Sequence, residues 1–166
     1  NFPDFRAHER AYQMMVQVSG RAGRSKKQGN VVIQTYNPYH KILQQVSTTS
    51  YTEMYKEQLQ DRWQYKYPPY YRLIKLTLKH RDYNKVDSGV NWLFKALYNS
   101  FGEYVLGPTA PAISRIRNQY IKNIVIKIPP KQSLANTKNQ LIKIRNTFEA
   151  VKDFRPIRFI IDVDAY

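Results

Sequence analysis

Hydrophobic spacing changes character along the chain. Between residues 4 and 18, Ala7, Ala11, Met14, Met15 and Val18 recur at the intervals of one helix face, and Asp4 after Pro3 suits an N-cap. Gly20 and Gly23 predict the end of that helix. Ser25 to Asn30 reads as a polar turn, and Val31-Val32-Ile33-Gln34-Thr35 as a short β-branched strand closed by Asn37-Pro38. His40 to Val46 predicts a short helix. Residues 51 to 64 predict another, with Tyr51, Met54, Tyr55, Leu59 and Trp63 at helical spacing. Tyr67-Pro68-Pro69-Tyr70 stops it, because proline cannot continue a helix and restricts the residue before it.

After the prolines the pattern becomes regular. Residues 72 to 79 alternate, with Ile74, Leu76 and Leu78 inward and Lys75, Thr77 and Lys79 outward. Val86, Val90, Leu93, Phe94, Leu97 and Phe101 mark a helix over 84 to 101. A short strand covers Glu103 to Leu106 and ends at Gly107-Pro108. Another covers 120 to 128, with Ile124, Ile126 and Ile128 on one side. Ser133 is placed to cap a helix whose apolar face is Leu134, Thr137, Leu141, Ile144, Phe148 and Val151. A last strand, 157 to 164, turns Phe159, Ile161 and Val163 inward. The order β-α-β-β-α-β is that of the split βαβ, ferredoxin-like plan within the α+β class. Three regions follow: residues 1–50, a helical connector over 51–68, and a ferredoxin-like domain over 69–166.

Composition adds a sign. The chain carries a formal charge of +15 on 166 residues, which points to a polyanionic partner. Residues 69 to 166 hold 17 basic and seven acidic side chains, whereas 51 to 68 are balanced. No apolar run reaches membrane-spanning length. The absence of cysteine excludes disulfides and thiolate chemistry and fits a cytoplasmic protein. His8, His40 and His80 are dispersed, which argues against a metal site. Asp162 and Asp164 form an acidic pair whose plainer reading is the solvent face of a terminal strand.

Basic chemistry concentrates in three places. In a ferredoxin-like sheet the first and third strands are central neighbours, which would group Lys75, Lys79 and Lys127 on the outward face. Arg115, Arg117, Tyr120 and Lys122 occupy the approach to the third strand. Cations neutralise phosphates, and rings between them stack on unpaired bases. The third place is Gln17-Val18-Ser19-Gly20-Arg21-Ala22-Gly23-Arg24. Glycine allows a tight backbone, and each arginine offers a planar fork that matches phosphate oxygens. An isolated Gly-Arg pair is more simply a solvated loop; Gln17, four residues before Arg21, narrows the choice.

The pattern Gln-x-x-Gly-Arg-x-Gly-Arg resembles motif VI of superfamily 2 helicases. Together with Pro3-Asp4-Phe5-Arg6-Ala7-His8-Glu9-Arg10-Ala11, Ile33-Gln34-Thr35-Tyr36-Asn37-Pro38, Tyr67-Pro68-Pro69-Tyr70 and Ile161-Asp162-Val163-Asp164, it resembles the bacterial replication-restart helicases, the primosomal protein N′ (PriA) family. The landmarks run in order over essentially the whole chain. Neither a Gly-x-Gly-Lys-Thr phosphate loop nor an Asp-Glu-x-His box is present in the sequence, so the resemblance implies a C-terminal fragment that does not hydrolyse ATP alone.

The resemblance implies that residues 1–50 close the second ATPase lobe of an α/β helicase, poorly supported without the rest of that lobe. Arg24 would be the finger on the γ-phosphate, with Arg21 supporting it and Gln17 positioning the nucleotide. ATP and Mg would belong to the parent helicase, and its zinc module would lie upstream. Residues 69–166 would form a domain resembling a ribosomal small-subunit protein, bind single-stranded or forked DNA, and work with other primosome proteins. Lys131 would help hold the acidic C-terminal tail of single-stranded DNA-binding protein, although Ala135 stands where some members carry Gln. The alternatives are a stand-alone ribosomal-type RNA-binding protein, which has no use for Gln17, Arg21 and Arg24, and a ferredoxin-like small-molecule enzyme.

Overall fold

The computed structural model describes residues 4–22, 29–48 and 50–164. The chain divides into two compact units, one ending at Tyr65 and the other beginning at Lys66.

In the first unit, α1 (Ala7–Ala22), α2 (Lys41–Ser47) and α3 (Tyr51–Gln64) are the regular elements among the described residues. The Asp4 carboxylate accepts the Arg6 backbone N–H at 2.8 Å and satisfies a donor at the start of α1. The helix does not stop at Gly20. It continues through Arg21 to Ala22, since one glycine inside a helix costs only about 1 kcal/mol. The packed face is also rotated from the expected one: Tyr12 is buried with Ile42 and Met54, flanked by Ala11, Met15 and Val16, whereas Met14 and Val18 are exposed. On α3 only Met54 is buried, and Tyr51, Tyr55 and Trp63 remain exposed. That helix, expected as a connector of its own, packs on α2 and joins its side chains to α1 through the Arg62–Glu9 ion pair. Residues 31–35 are not a strand. They are exposed and make no ladder, because a β-branched run needs a neighbouring strand and the described residues of this unit supply none.

The second unit is a sheet with helices packed on one side. The strands are β1 (Arg72–His80), β2 (Val105–Thr109), β3 (Arg115–Ile116), β4 (Gln119–Ile128) and β5 (Arg158–Val163). The helices are α4 (Tyr83–Phe101) and α5 (Leu134–Ala150). All ladders are antiparallel, in the order β2-β4-β1-β5, with β3 paired to β4 as a short hairpin that the hydrophobic pattern did not predict. Asp82 caps α4 by accepting the Asn84 and Lys85 N–H groups at 2.8 and 3.4 Å, and Ser133 caps α5.

Alternation decides the layers. Leu76 faces Ile124 on one neighbour and Ile161 on the other, so the even positions of β1 and β4 share one side of the sheet. That side receives Val86, Val90, Leu93 and Leu97 of α4 and Leu141 and Phe148 of α5. Phe148 is fully buried, with Phe154 stacked at 5.0 Å and Phe159 edge-on at 5.4 Å. β2 continues past Gly107-Pro108, where the expectation ended it. Gly107 has φ +116°, and a Cβ there would sit 3.0 Å from the Asn123 carbonyl oxygen, so only glycine lets the two strands approach at this irregularity.

Candidate nucleic-acid interface

The same alternation builds the opposite side of the sheet from odd positions. Leu73 pairs with Lys127, Lys75 with Val125, Thr77 with Asn123 and Lys79 with Ile121. On the β5 side, Lys75 faces Asp162, Thr77 faces Ile160 and Lys79 faces Arg158. Lys75, Lys79 and Lys127 therefore share a face, as the spacing implied, and Arg158 joins them. Arg158 was legible in the sequence: Phe159, Ile161 and Val163 inward leave Arg158, Ile160 and Asp162 outward. Thr77 donates its hydroxyl to the Asn123 side-chain oxygen at 3.0 Å and locks the middle of this face between the cations.

The four cations are not equivalent. Lys75 and Lys79 are partly open to solvent and Arg158 is exposed, but Lys127 is only 9% exposed. Its Nζ lies 3.8 Å from the centre of the Tyr67 ring. Burial, with the charge of Lys66 adding to it, pushes the Lys127 ammonium below its ordinary value. Lys66 in turn lies over the Tyr104 ring at 5.5 Å. The Tyr67-Pro68-Pro69-Tyr70 segment, whose spacing marks a helix stop, thus also supplies Tyr67 as an aromatic cover over Lys127.

The second basic group does not lie on that face. Tyr120 and Lys122 are even positions of β4, on the helix side. Lys122 forms an ion pair with Asp87 of α4 and sits 5.2 Å from the Tyr83 ring centre. The hydrogen bond with Asp87 is the main reason its ammonium is held above the ordinary lysine value. Tyr120 packs edge-on against Tyr83 at 5.5 Å, and the Arg115 guanidinium lies over it at 4.9 Å. These rings and Lys122 are engaged within the unit. Arg115 and Arg117 are the exposed cations of the β3–β4 hairpin, and Arg115 also donates to the Asn118 side chain.

Lys131 is exposed in the turn before α5, two residues ahead of the Ser133 cap. It does not line the cleft of about 440 Å³ between α5 and the β1–β5 edge, whose rim carries Arg72 and Lys138 around Leu134, Leu141, Ile142 and Ile161. In the first unit, Gln17 and Arg21 are both exposed on α1, one turn apart on the same face. Arg24 lies outside the described residues. Asp162 sits on the outward face of β5, and the Asp164 backbone N–H donates to the Leu73 carbonyl at 2.8 Å. Among the described residues, no group of three histidine or carboxylate side chains is placed to hold a metal ion. No helix among them is long and apolar enough to cross a membrane.

The family model of the primosomal protein N C-terminal domain matches residues 64–166. Among curated relatives, the replication restart protein PriA of Bacillus subtilis is 34% identical over the whole chain, which corresponds to 20% of that protein. The Synechocystis protein of the same name is 34% identical over 99% of the chain and 19% of its own length, and that of Haemophilus influenzae 34% over 97% and 22%. The chain thus spans about a fifth of the length of these relatives. With more than half of its residues matched by the family model, the chain belongs to the family of the primosomal protein N C-terminal domain.

Proposed function

We propose that the chain acts within an ATP-dependent DNA helicase that recognises stalled or forked DNA and restarts replication by primosome assembly. In this reading the unit from Lys66 onward is the DNA-holding domain, and the first unit contributes the end of the second ATPase lobe. One observation carries the DNA assignment: sheet register gathers Lys75, Lys79, Lys127 and Arg158 on one face, with Asp162 as the acid among those positions. A basic face of this kind gains affinity by releasing counterions from phosphates, independent of sequence. The strand order, with a helix in each crossover, supports the split βαβ, ferredoxin-like description of the unit.

Gln17 and Arg21 share an exposed helix face, a geometry that fits residues working beside the phosphates of a bound nucleotide. Bound with Mg, ATP supplies the phosphoryl group whose hydrolysis drives unwinding, and arginines at this site stabilise the charge that develops on it. In the intact helicase, Arg24→Ala lowers ATP turnover far more than nucleotide binding and leaves DNA affinity in place. The acidic tail of single-stranded DNA-binding protein is proposed to dock at Lys131. There, Lys131→Glu weakens capture of the tail peptide and leaves DNA binding nearly unchanged.

The deciding experiment is a salt titration of single-stranded and forked DNA binding by the 166-residue chain. Charge reversal of Lys75, Lys79 and Arg158 together lowers affinity at low salt by at least tenfold and flattens the salt dependence, since each lost phosphate contact removes roughly 0.7–0.9 from the slope. Unchanged affinity in that variant removes the sheet face from the binding site.

A further inference from the structure

The β3–β4 hairpin has features that a simple phosphate-binding loop does not need. It is a two-residue turn, Arg117-Asn118, with φ +49° and +61° at the central positions. Positive φ at both is the geometry that lets a tight hairpin follow the twist of its strands, and Asn-Gly is the pair that adopts it most readily. Here an arginine occupies the first position, where a side chain is disfavoured. The chain therefore puts a cation at the extreme tip in spite of the backbone.

Apolar side chains flank that tip. Ile113 is 67% exposed and Ile116 47% exposed, in a stretch of residues 112–118 that is exposed throughout. A short ladder holds the stretch between them and the tip: Arg115 pairs with Tyr120, Ile116 with Gln119, and the Ile121 N–H donates to the Ser114 carbonyl at 2.9 Å. This fixes the arms of the hairpin. Arg115 and Ile116, as neighbours on a strand, point to opposite faces, and Arg115 is held on the Tyr120 ring. The result is an exposed hairpin that carries Ile116 between two arginines, with Ile113 just ahead of its first strand. Isolated surface isoleucines need no explanation, but two in one exposed stretch, Ile116 between Arg115 and Arg117 and Ile113 two residues ahead of Arg115, match the chemistry of side chains that enter a nucleic-acid stack. Aliphatic wedges of this type slip against or between bases while neighbouring arginines hold the backbone.

We propose that the Ile113–Asn118 hairpin recognises a duplex–single-strand junction in DNA: Ile113 and Ile116 pack against the terminal base pair or the first unpaired base, and Arg115 and Arg117 hold the phosphates on either side. The inference rests on the DNA-binding reading of this unit and adds to it the structure being read. A terminal pair is the partner of choice because its face is uncovered, so packing on it costs no unstacking of an interior step. The sheet face alone, a phosphate-binding surface, has no means of telling a junction from continuous duplex.

The test compares three DNA probes of equal total length, a fork, a continuous duplex and a single strand, by anisotropy on the 166-residue chain. A fluorescent adenine analogue placed at the fork junction reports stacking. The wild-type chain is expected to prefer the fork by about tenfold and to change the analogue's emission, since burying even one isoleucine against a base is worth an effect of that order. Ile113→Ser with Ile116→Ser abolishes the preference and the emission change and leaves duplex affinity within about twofold. Arg117→Gly keeps the turn, because glycine suits its φ, and reduces affinity for all three probes while lowering the salt slope by about one unit or less. A double isoleucine variant that retains the fork preference overturns the proposal, as does a wild-type chain that binds fork and duplex equally. Failure to bind any of the three probes at low salt instead overturns the DNA-binding reading itself.

Discussion

Residues from Lys66 onward bury fifteen hydrophobic side chains in one cluster, whereas the described residues of the first unit bury three: Tyr12, Ile42 and Met54. Apolar residues are only somewhat scarcer in the first unit, 24 of the 65 residues before Lys66 against 46 of the 101 from it onward, too small a gap to account for the difference in burial. Met14, Val18, Val32, Tyr51, Tyr55 and Trp63 are all exposed there. What differs is the supply of partner surface. In the second unit each strand pairs and two helices close one side of the sheet, so every apolar stripe meets another. In the first unit, three helices meet along one seam and Val31 to Thr35 finds no ladder. An amphipathic pattern states a requirement for a partner; it does not provide one.

The contrast can be broken at its strongest point. Phe148→Ala removes the ring around which Trp92, Phe154 and Phe159 pack and should cost about 3–5 kcal/mol of the second unit's stability. Met54→Ala should lie nearer the lower end, about 2 kcal/mol, because its partly exposed surroundings can relax into the space. The sequence contains two tryptophans, Trp63 and Trp92, one in each unit, so fluorescence of single-tryptophan variants in a denaturant titration follows the units separately. The Trp63 signal should unfold first, and Phe148→Ala should move the Trp92 transition and leave the other in place. Coincident transitions that shift together would show that the two units fold as one.

A smaller effect sharpens the comparison at the helix ends. Asp82→Ala leaves two N–H groups at the start of α4 without their carboxylate and should lower the Trp92 midpoint by the equivalent of about 1 kcal/mol. Asp82→Ser should recover most of it. Equal midpoints for the alanine variant and the wild type would mean that water replaces the cap at no cost.

The second unit was the more legible because alternation and helical spacing agreed with each other and with its turns. Ile74, Leu76 and Leu78 and the α4 stripe were readable as core before any contact was known, and so was the pairing that sets Lys75, Lys79 and Lys127 on one face. Three things were not legible, each for a physical reason. Lys122 looked free because its acid, Asp87, is 35 residues away and meets it only through the fold. The burial of Lys127 depends on Tyr67, which local spacing marked only as part of a proline stop. In the first unit, the spacing of Ala7, Ala11, Met14, Met15 and Val18 could not say which side of the helix would face α2. Neighbouring stripes on one helix differ by a rotation that only the partner selects.

The smallest effects set the units apart by the sign of their pH dependence. In the first unit the Lys41 hydrogen bond is the main cause that holds the Glu57 carboxyl below its ordinary 4.5, against the opposing effect of burial. A carboxylate held low stabilises the fold when ionised, so this contribution is complete above 4.5 and is lost as pH falls through the lowered value. In the second unit Lys122, held above 10.5 chiefly by Asp87, stabilises when charged: its contribution is complete below 10.5 and lost as pH climbs beyond it. Lys127 acts the other way, because burial disfavours its charge; the unit gains stability as pH rises through its lowered value toward 10.5. The Trp63 midpoint should therefore weaken on the acid side and the Trp92 midpoint on the far alkaline side. Glu57→Gln should shrink the acid loss seen at Trp63 without touching Trp92. Both partners of the Glu57–Lys41 pair are substantially exposed, so the change is small and should fade further at high salt. An acid loss of undiminished size in Glu57→Gln would overturn the assignment to the Glu57–Lys41 pair.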